Sequence, residues 1–127
     1  MMIRPAEPED LQRIQDIEVA AGQLFRAMGM DSVADAPPMT KEELAAYQRV
    51  GRAWVATGSS GVAIAYILVD VFGVWAHIEQ VTVHPDQGRR GIGSTLIAHV
   101  ERWAAGTKLR GLSLTTFTGG PMERSLL

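Results

Sequence analysis

The hydrophobic period of this chain changes twice, and that pattern restricts the folds open to it. Leu11, Ile14, Ile17, Ala21, Leu24, Phe25 and Met28 recur at helical spacing, which buries one face of a helix. Glu7, Glu9 and Asp10 precede it, and acidic side chains there complement the helix dipole. Gly29 is a stop signal, and Asp31 to Met39, with Pro37 and Pro38, reads as a loop. Thr40 and Glu43 have the spacing of a capping box. Leu44, Tyr47 and Val50 give the second helix a short apolar face. From there the period becomes that of strands. Ala53–Ala56, Val62–Val69 and Trp75–Val83 are apolar or β-branched runs separated by Gly58-Ser59-Ser60-Gly61 and Phe72-Gly73 turns. Helical spacing returns at Ile92, Leu96, Ile97, Val100 and Trp103, Gly106 closes that helix, and Leu112–Phe117 reads as a last strand. Met2–Ala6 supplies a first strand. The order β-α-α-β-β-β-α-β predicts an α/β (α+β) fold, a mixed sheet flanked by helices.

The chain has 127 residues, the size of one domain burying roughly two thirds of its unfolded surface. We therefore expect a single domain over 1–127, with 118–127 an atypical tail. Twelve Lys and Arg against fourteen Asp and Glu give a net charge of −2, a balance that calls for neither nucleic acid nor an anionic membrane. There is no cysteine, which excludes disulfides and thiolate catalysis. His77, His84 and His99 show no metal-ligand spacing, so no metal is expected. The longest apolar run is far shorter than the ~20 residues of a membrane span, and the N-terminus has no apolar core of a signal peptide. The expected location is the cytoplasm.

The chemistry points to the turn between the fourth strand and the third helix. His84-Pro85-Asp86 ends the strand, and Gln87-Gly88-Arg89-Arg90-Gly91-Ile92-Gly93 follows. Free amides at a helix start favour an anion. Glycines let backbone approach a phosphate closely. Arg89 and Arg90 add positive charge, and Ser94 and Thr95 offer hydroxyls in the first turn. A pyrophosphate fits this set. A P-loop is the poorer reading, because Ser94 stands where the phosphate-binding lysine belongs. A Rossmann fingerprint fails at Leu96, which occupies the third glycine position. The plain alternative is a tight turn carrying a solvated arginine pair.

Glu79-Gln80-Val81-Thr82-Val83-His84-Pro85, followed by Gly88-Arg89-Arg90-Gly91-Ile92-Gly93 and a helix, resembles the acetyl-CoA-binding motif of the Gcn5-related N-acetyltransferases (GNAT). The likeness runs from Ile3 to about Phe117. Gly88 departs from it, standing where the family usually has Arg or Gln. The resemblance implies a mostly antiparallel sheet whose fourth and fifth strands splay apart around the pantetheine arm of acetyl-CoA, the cosubstrate. Carried over residue by residue, Val81, Thr82 and Val83 would line pantetheine, with backbone groups of Val81 and Val83. Arg89, Arg90, Gly91, Ile92, Gly93, Ser94 and Thr95 would hold the pyrophosphate.

Similar enzymes let an amine attack the thioester directly, and an amine with a pKa near ~10.4 must first lose a proton. Glu79 is the candidate base, with an ordinary solvent-facing carboxylate as the alternative. Strand alternation places Glu79, Val81 and Val83 on one side, and His77 shares that side. His77 then reads as a surface residue and His84 as a shaper of the turn. The Val81 amide is a candidate oxyanion donor. The family's thiolate-protonating Tyr, on a helix after the fifth strand, has no counterpart: the tyrosines are Tyr47 and Tyr66. The family's closing hairpin is also missing. That leaves Leu112, Leu114 and Phe117 on an open edge, and such edges seek partners, so a homodimer through that edge is expected. The leading expectation is acetyl transfer to a primary amine of a small molecule or protein, beside the Asp31 to Met39 loop, where Asp31 and Asp35 would attract a cation. A non-catalytic acyl-CoA-binding module is the second reading, and a nucleotide-phosphate-binding domain the third.

Overall fold

A computed structural model describes residues 1–27, 39–88, 90–114 and 124–125. The elements run β1 (Met2–Pro5), α1 (Leu11–Ala27), α2 (Lys41–Arg49), β2 (Ala53–Thr57), β3 (Ala63–Phe72), β4 (Trp75–Val83), α3 (Ile92–Gly106), β5 (Gly111–Leu114) and β6 (Arg124–Ser125). They form the expected α/β architecture. The strands lie in chain order in one sheet. Every neighbouring pair is antiparallel except β4 and β5, which are parallel.

Strand β3 is central because it is apolar on both faces, and Ala65 through Val69 are all buried. Its neighbour β2 is buried throughout as well, and in both strands successive side chains point to opposite faces. Trp54, Ala56, Ala65, Ile67 and Val69 pack with Ile92, Leu96, Val100 and Ala104 of α3 on one face. On the other, Ala53, Val55, Tyr66 and Leu68 pack with Leu11, Ile14 and Ile17 of α1 and Leu44 of α2. Trp54 and Trp103 meet edge to face at 5.0 Å between ring centres, fixing α3 against β2. The expected capping box of α2 is present in both directions. The Glu43 amide donates to Thr40 Oγ1 at 3.1 Å and the Thr40 amide to Glu43 Oε1 at 3.0 Å. Val50 lies just past the helix and is 63% exposed, so it does not extend the apolar face as expected. Among the side chains expected on the core face of α1, Leu24 and Phe25 fall outside the description, as do Met28, the Gly29 stop, and the 31–38 stretch with Asp31 and Asp35.

Two features depart from the sequence reading. The first is β6, whose Arg124 and Ser125 pair with Leu114 and Ser113. The edge of β5 expected to be open therefore carries a short antiparallel partner, and Leu112 is 1% exposed. Both remove part of the reason for expecting a homodimer there. Phe117 lies outside the description. The second is a β-bulge. Leu68 faces Gln80 while Val69 faces Ile78, so Glu79 is an extra residue on β4. The extra residue shifts the alternation by one. Ala76 and Ile78 face the α3 side, and so do Val81 and Val83. Gln80 turns to the opposite face, where its Nε2 donates to the Tyr66 hydroxyl at 2.7 Å. Glu79 therefore does not share a face with Val81 and Val83.

The N-terminus is tied down by one ion pair. Arg4 Nη1 and Nη2 lie 2.7 and 3.0 Å from the two carboxylate oxygens of Asp10, which also accepts the Glu7 amide at 2.8 Å. Asp10 is 8% exposed. Its burial alone would raise the pKa, but the Arg4 and Glu7 hydrogen bonds outweigh it and hold the carboxyl below its usual range. A depressed carboxylate stabilises the fold at pH values above its unfolded pKa, near ~3.9, and that contribution disappears as pH falls through the folded value. Arg4→Met leaves the carboxylate without its partner. We expect a loss of about 1–3 kcal/mol at pH 7 that shrinks toward pH 3. Urea melts of both proteins across that pH range check it, and a pH-independent difference would contradict it.

Candidate active site

The turn joining β4 to α3 is built by local signals. Pro85 starts a single 3-10 turn over Pro85–Gln87, and His84 Nδ1 accepts the Asp86 amide at 3.1 Å. His84 thus shapes the turn. Gly91 then adopts φ +70° as the residue before the helix, a left-handed conformation that glycine adopts without steric cost. No side chain caps α3. Among the described residues, the first amide of α3 to reach a carbonyl is that of Thr95, on Gly91 O at 3.0 Å. The amides of Ile92, Gly93 and Ser94 come before it, at the positive end of the helix dipole. Among the described residues, a Cβ at Gly91 would meet nothing within 4 Å, and one at Gly93 only Val83 at 3.8 Å. Arg90 is exposed at the rim of this turn, and Arg89 lies outside the description.

Thr95 behaves differently from the expectation. Its hydroxyl donates to Gly91 O at 2.9 Å, so its hydrogen is committed to the helix backbone and is not free for a phosphate.

The second half of the site is the edge of β4. Strand β5 pairs with β4 from Trp75 to Ile78. Beyond that, Glu79–Val83 have no ladder partner on that edge among the described residues. Their backbone groups are available to an extended, amide-bearing arm, as a strand edge is to a strand. Val81, Thr82 and Val83 line this stretch and lead directly into the glycine turn. Val81 and Val83 anchor it by packing against the α3-side core.

On the opposite face of the sheet, α2 and the end of β3 enclose an open cleft of about 350 Å³, lined by Glu43, Tyr47, Arg52 and Asp70 among others. The Tyr47 hydroxyl donates to Asp70 Oδ2 at 3.1 Å. Burial, that bond and the nearby charges of Asp70, Glu79 and Glu43 all push its pKa up. Tyr66 is fully buried, and burial raises its pKa as well. Both hydroxyls keep their protons, and Tyr66 is sealed from any substrate. Glu79 is 43% exposed in its side chain, and its Oε2 lies 3.8 Å from His77 Nε2. His77 Nδ1 in turn lies 2.8 Å from Ser113 Oγ. Sequence reasoning missed this contact because the two residues are 36 positions apart and meet only across the parallel pair. Among the described residues no group of three or more His, Asp or Glu side chains is gathered as a metal site would need, and no helix is long and apolar enough to cross a membrane.

Among the described residues, the site is a sheet edge without a ladder partner running into an uncapped, glycine-led helix start. A sequence model of the acetyltransferase (GNAT) family matches residues 14–122, and the chain belongs to that family. Solved structures with the same fold include PaiA N-acetyltransferase from Thermoplasma acidophilum in complex with coenzyme A. It has a TM-score of 0.76 and 16% identity, over 91% of this chain and 78% of that one. A GNAT family acetyltransferase from Brucella melitensis in complex with acetyl-CoA has a TM-score of 0.69 and 24% identity, over 93% and 77%. Rv2747 from Mycobacterium tuberculosis, in complex with CoA, has a TM-score of 0.72 and 18% identity; 93% of this chain is covered but only 66% of that one.

Proposed function

We propose that this chain transfers an acetyl group from acetyl-CoA to a primary amine. The observation that carries the proposal is the pairing of the unpartnered β4 edge with the uncapped start of α3. The backbone of Val81 to Val83 would hold the pantetheine arm. The amides of Ile92, Gly93 and Ser94, with Gly91 giving close approach and Arg89 and Arg90 adding charge, would hold the pyrophosphate. Bound acetyl-CoA supplies the activated acetyl group. The cleft beside α2 suits the acceptor: Glu43 and Asp70 line it and Glu79 lies close by, so an ammonium group is drawn toward the sheet despite Arg52 at the rim. Glu79, the extra residue of the bulge, would take a proton from that ammonium.

The non-catalytic alternative, an acyl-CoA-binding module, draws support from the tyrosines. Tyr66 is sealed and the Tyr47 hydroxyl is committed to Asp70, so neither is free to protonate a departing thiolate. One pair of measurements separates the readings. Acetyl-CoA and CoA should each raise the melting temperature by several degrees at saturating concentration, whereas ATP should not. Thiol release should then appear with at least one member of an amine panel. Stabilisation by CoA species with no thiol release for any amine supports the binding module. Stabilisation by ATP alone would end the acetyl-CoA assignment.

A further inference from the structure

Resting on the transferase reading above, we infer that His77 is a positioning residue: pinned by Ser113, it orients Glu79 and takes over the proton that Glu79 removes from the amine. The geometry comes from the end of the β4–β5 pairing. His77 and Ser113 are register partners on adjacent strands, and Ser113 Oγ lies 2.8 Å from Nδ1. The ring of Phe72 meets the imidazole edge to face at 5.9 Å between centres. These two contacts fix the ring plane and aim Nε2 at Glu79 Oε2, 3.8 Å away. The imidazole is half-buried, while the carboxylate is more exposed at 43%. One of the two faces the site and the other stands behind it.

The bulge makes this arrangement possible. In an uninterrupted strand, residues 77 and 79 would stand in parallel about two pleats apart. With Glu79 as the extra residue, its side chain is released from the ladder and folds back toward the ring. When Nδ1–H donates to Ser113 Oγ, the lone pair of Nε2 faces Glu79. The ammonium N–H bond then breaks, leaving its electron pair on nitrogen for the attack, and the proton joins Glu79 Oε2. As the exposed carboxyl rotates to close the 3.8 Å gap, that O–H bond breaks in turn, its electrons return to the carboxylate, and the proton joins Nε2. The imidazolium beside a carboxylate is finally relieved by water. Imidazole is a stronger base than a carboxylate, so a relay that ends on the ring favours removal of the amine's proton. Among the described residues, the titratable groups on this face include Glu18 of α1, Glu43 and Tyr47 of α2, Arg52 before β2, and Tyr66 and Asp70 of β3. Asp70 is the register partner of His77 on its other flank and is bonded to Tyr47.

The test uses the whole chain and two readouts. Nitrogen-15 NMR of the histidine rings reports the tautomer of His77 without turnover. The expected result is an Nδ1–H tautomer that is lost in Ser113→Ala. An Nε2–H tautomer in the parent, or a tautomer unchanged by Ser113→Ala, would overturn the inference. In the acetyl-transfer assay, His77→Gln should lower kcat at least tenfold and displace the acidic limb of the pH profile, with KM for acetyl-CoA unchanged. Ser113→Ala should give a smaller loss of the same kind. Thiol release with an unaltered acidic limb in His77→Gln sinks the positioning role alone. No thiol release by the unmodified chain, with any amine, sinks the transferase reading and this role with it.

Discussion

Gly91→Val should lose acetyl-CoA binding by about a hundredfold or more. Two or three hydrogen bonds from backbone amides to a charged phosphate, at about 1.5–3 kcal/mol each, account for a loss of that size. The substitution acts twice. The added side chain enters the space a phosphate would need, where no described residue lies within 4 Å of a Cβ. It also forces a β-branched residue into φ +70°, at a cost of about 1–2 kcal/mol or more. The fold is therefore not expected to be untouched, and a melting temperature must be measured beside the calorimetric affinity. Gly91→Ala carries the same backbone penalty with less bulk and separates the two effects. A Gly91→Val protein that is less stable yet binds acetyl-CoA as tightly as the parent would show that the cradle lies elsewhere.

Leu96→Ala should be the most destabilising single truncation near the site, by about 3 kcal/mol within a range of 2–5. Leu96 is fully buried one turn into α3 and belongs to the cluster that joins the helix to Trp54, Ile67 and Ile78. It touches no proposed ligand group, so its effect on binding is indirect. At a hundred times the dissociation constant, acetyl-CoA should return about 2.7 kcal/mol. Ligand stabilisation retained in Leu96→Ala and absent in Gly91→Val would separate support of the helix from contact at its start. Urea unfolding with and without acetyl-CoA measures both. A Leu96→Ala protein as stable as the parent would contradict the packing described for α3.

Much of the architecture was legible because it depends on local signals. Thr40 and Glu43 announce the start of α2, Pro85 the end of β4, and the apolar run through Val69 the central strand. The strand-turn-helix segment carried the family resemblance for the same reason: its residues are contiguous. What was not legible depends on distant partners or on irregularity. The bond between His77 and Ser113 needs β5 brought alongside β4. The lock of Arg4 on Asp10 needs the chain to turn back after Pro5. Strand β6 is two residues long, too short to show any alternation. The bulge did leave a trace, because Ile78 and Val81 are three positions apart where an unbroken alternation of apolar residues would put them two apart. Counting Glu79, Val81 and Val83 as one face overlooked that step.

The bulge also separates two kinds of change that are usually ranked together. Glu79 is exposed, so exchanging its side chain asks little of the packing. Removing the residue altogether restores simple alternation and leaves Ile78, Val81 and Val83 on the α3 side, so the core contacts of β4 are kept while the local bend and twist of the bulge are lost. Exchanging the side chain thus tests its charge, whereas deleting the residue tests the distortion of the strand with the packing of its neighbours kept.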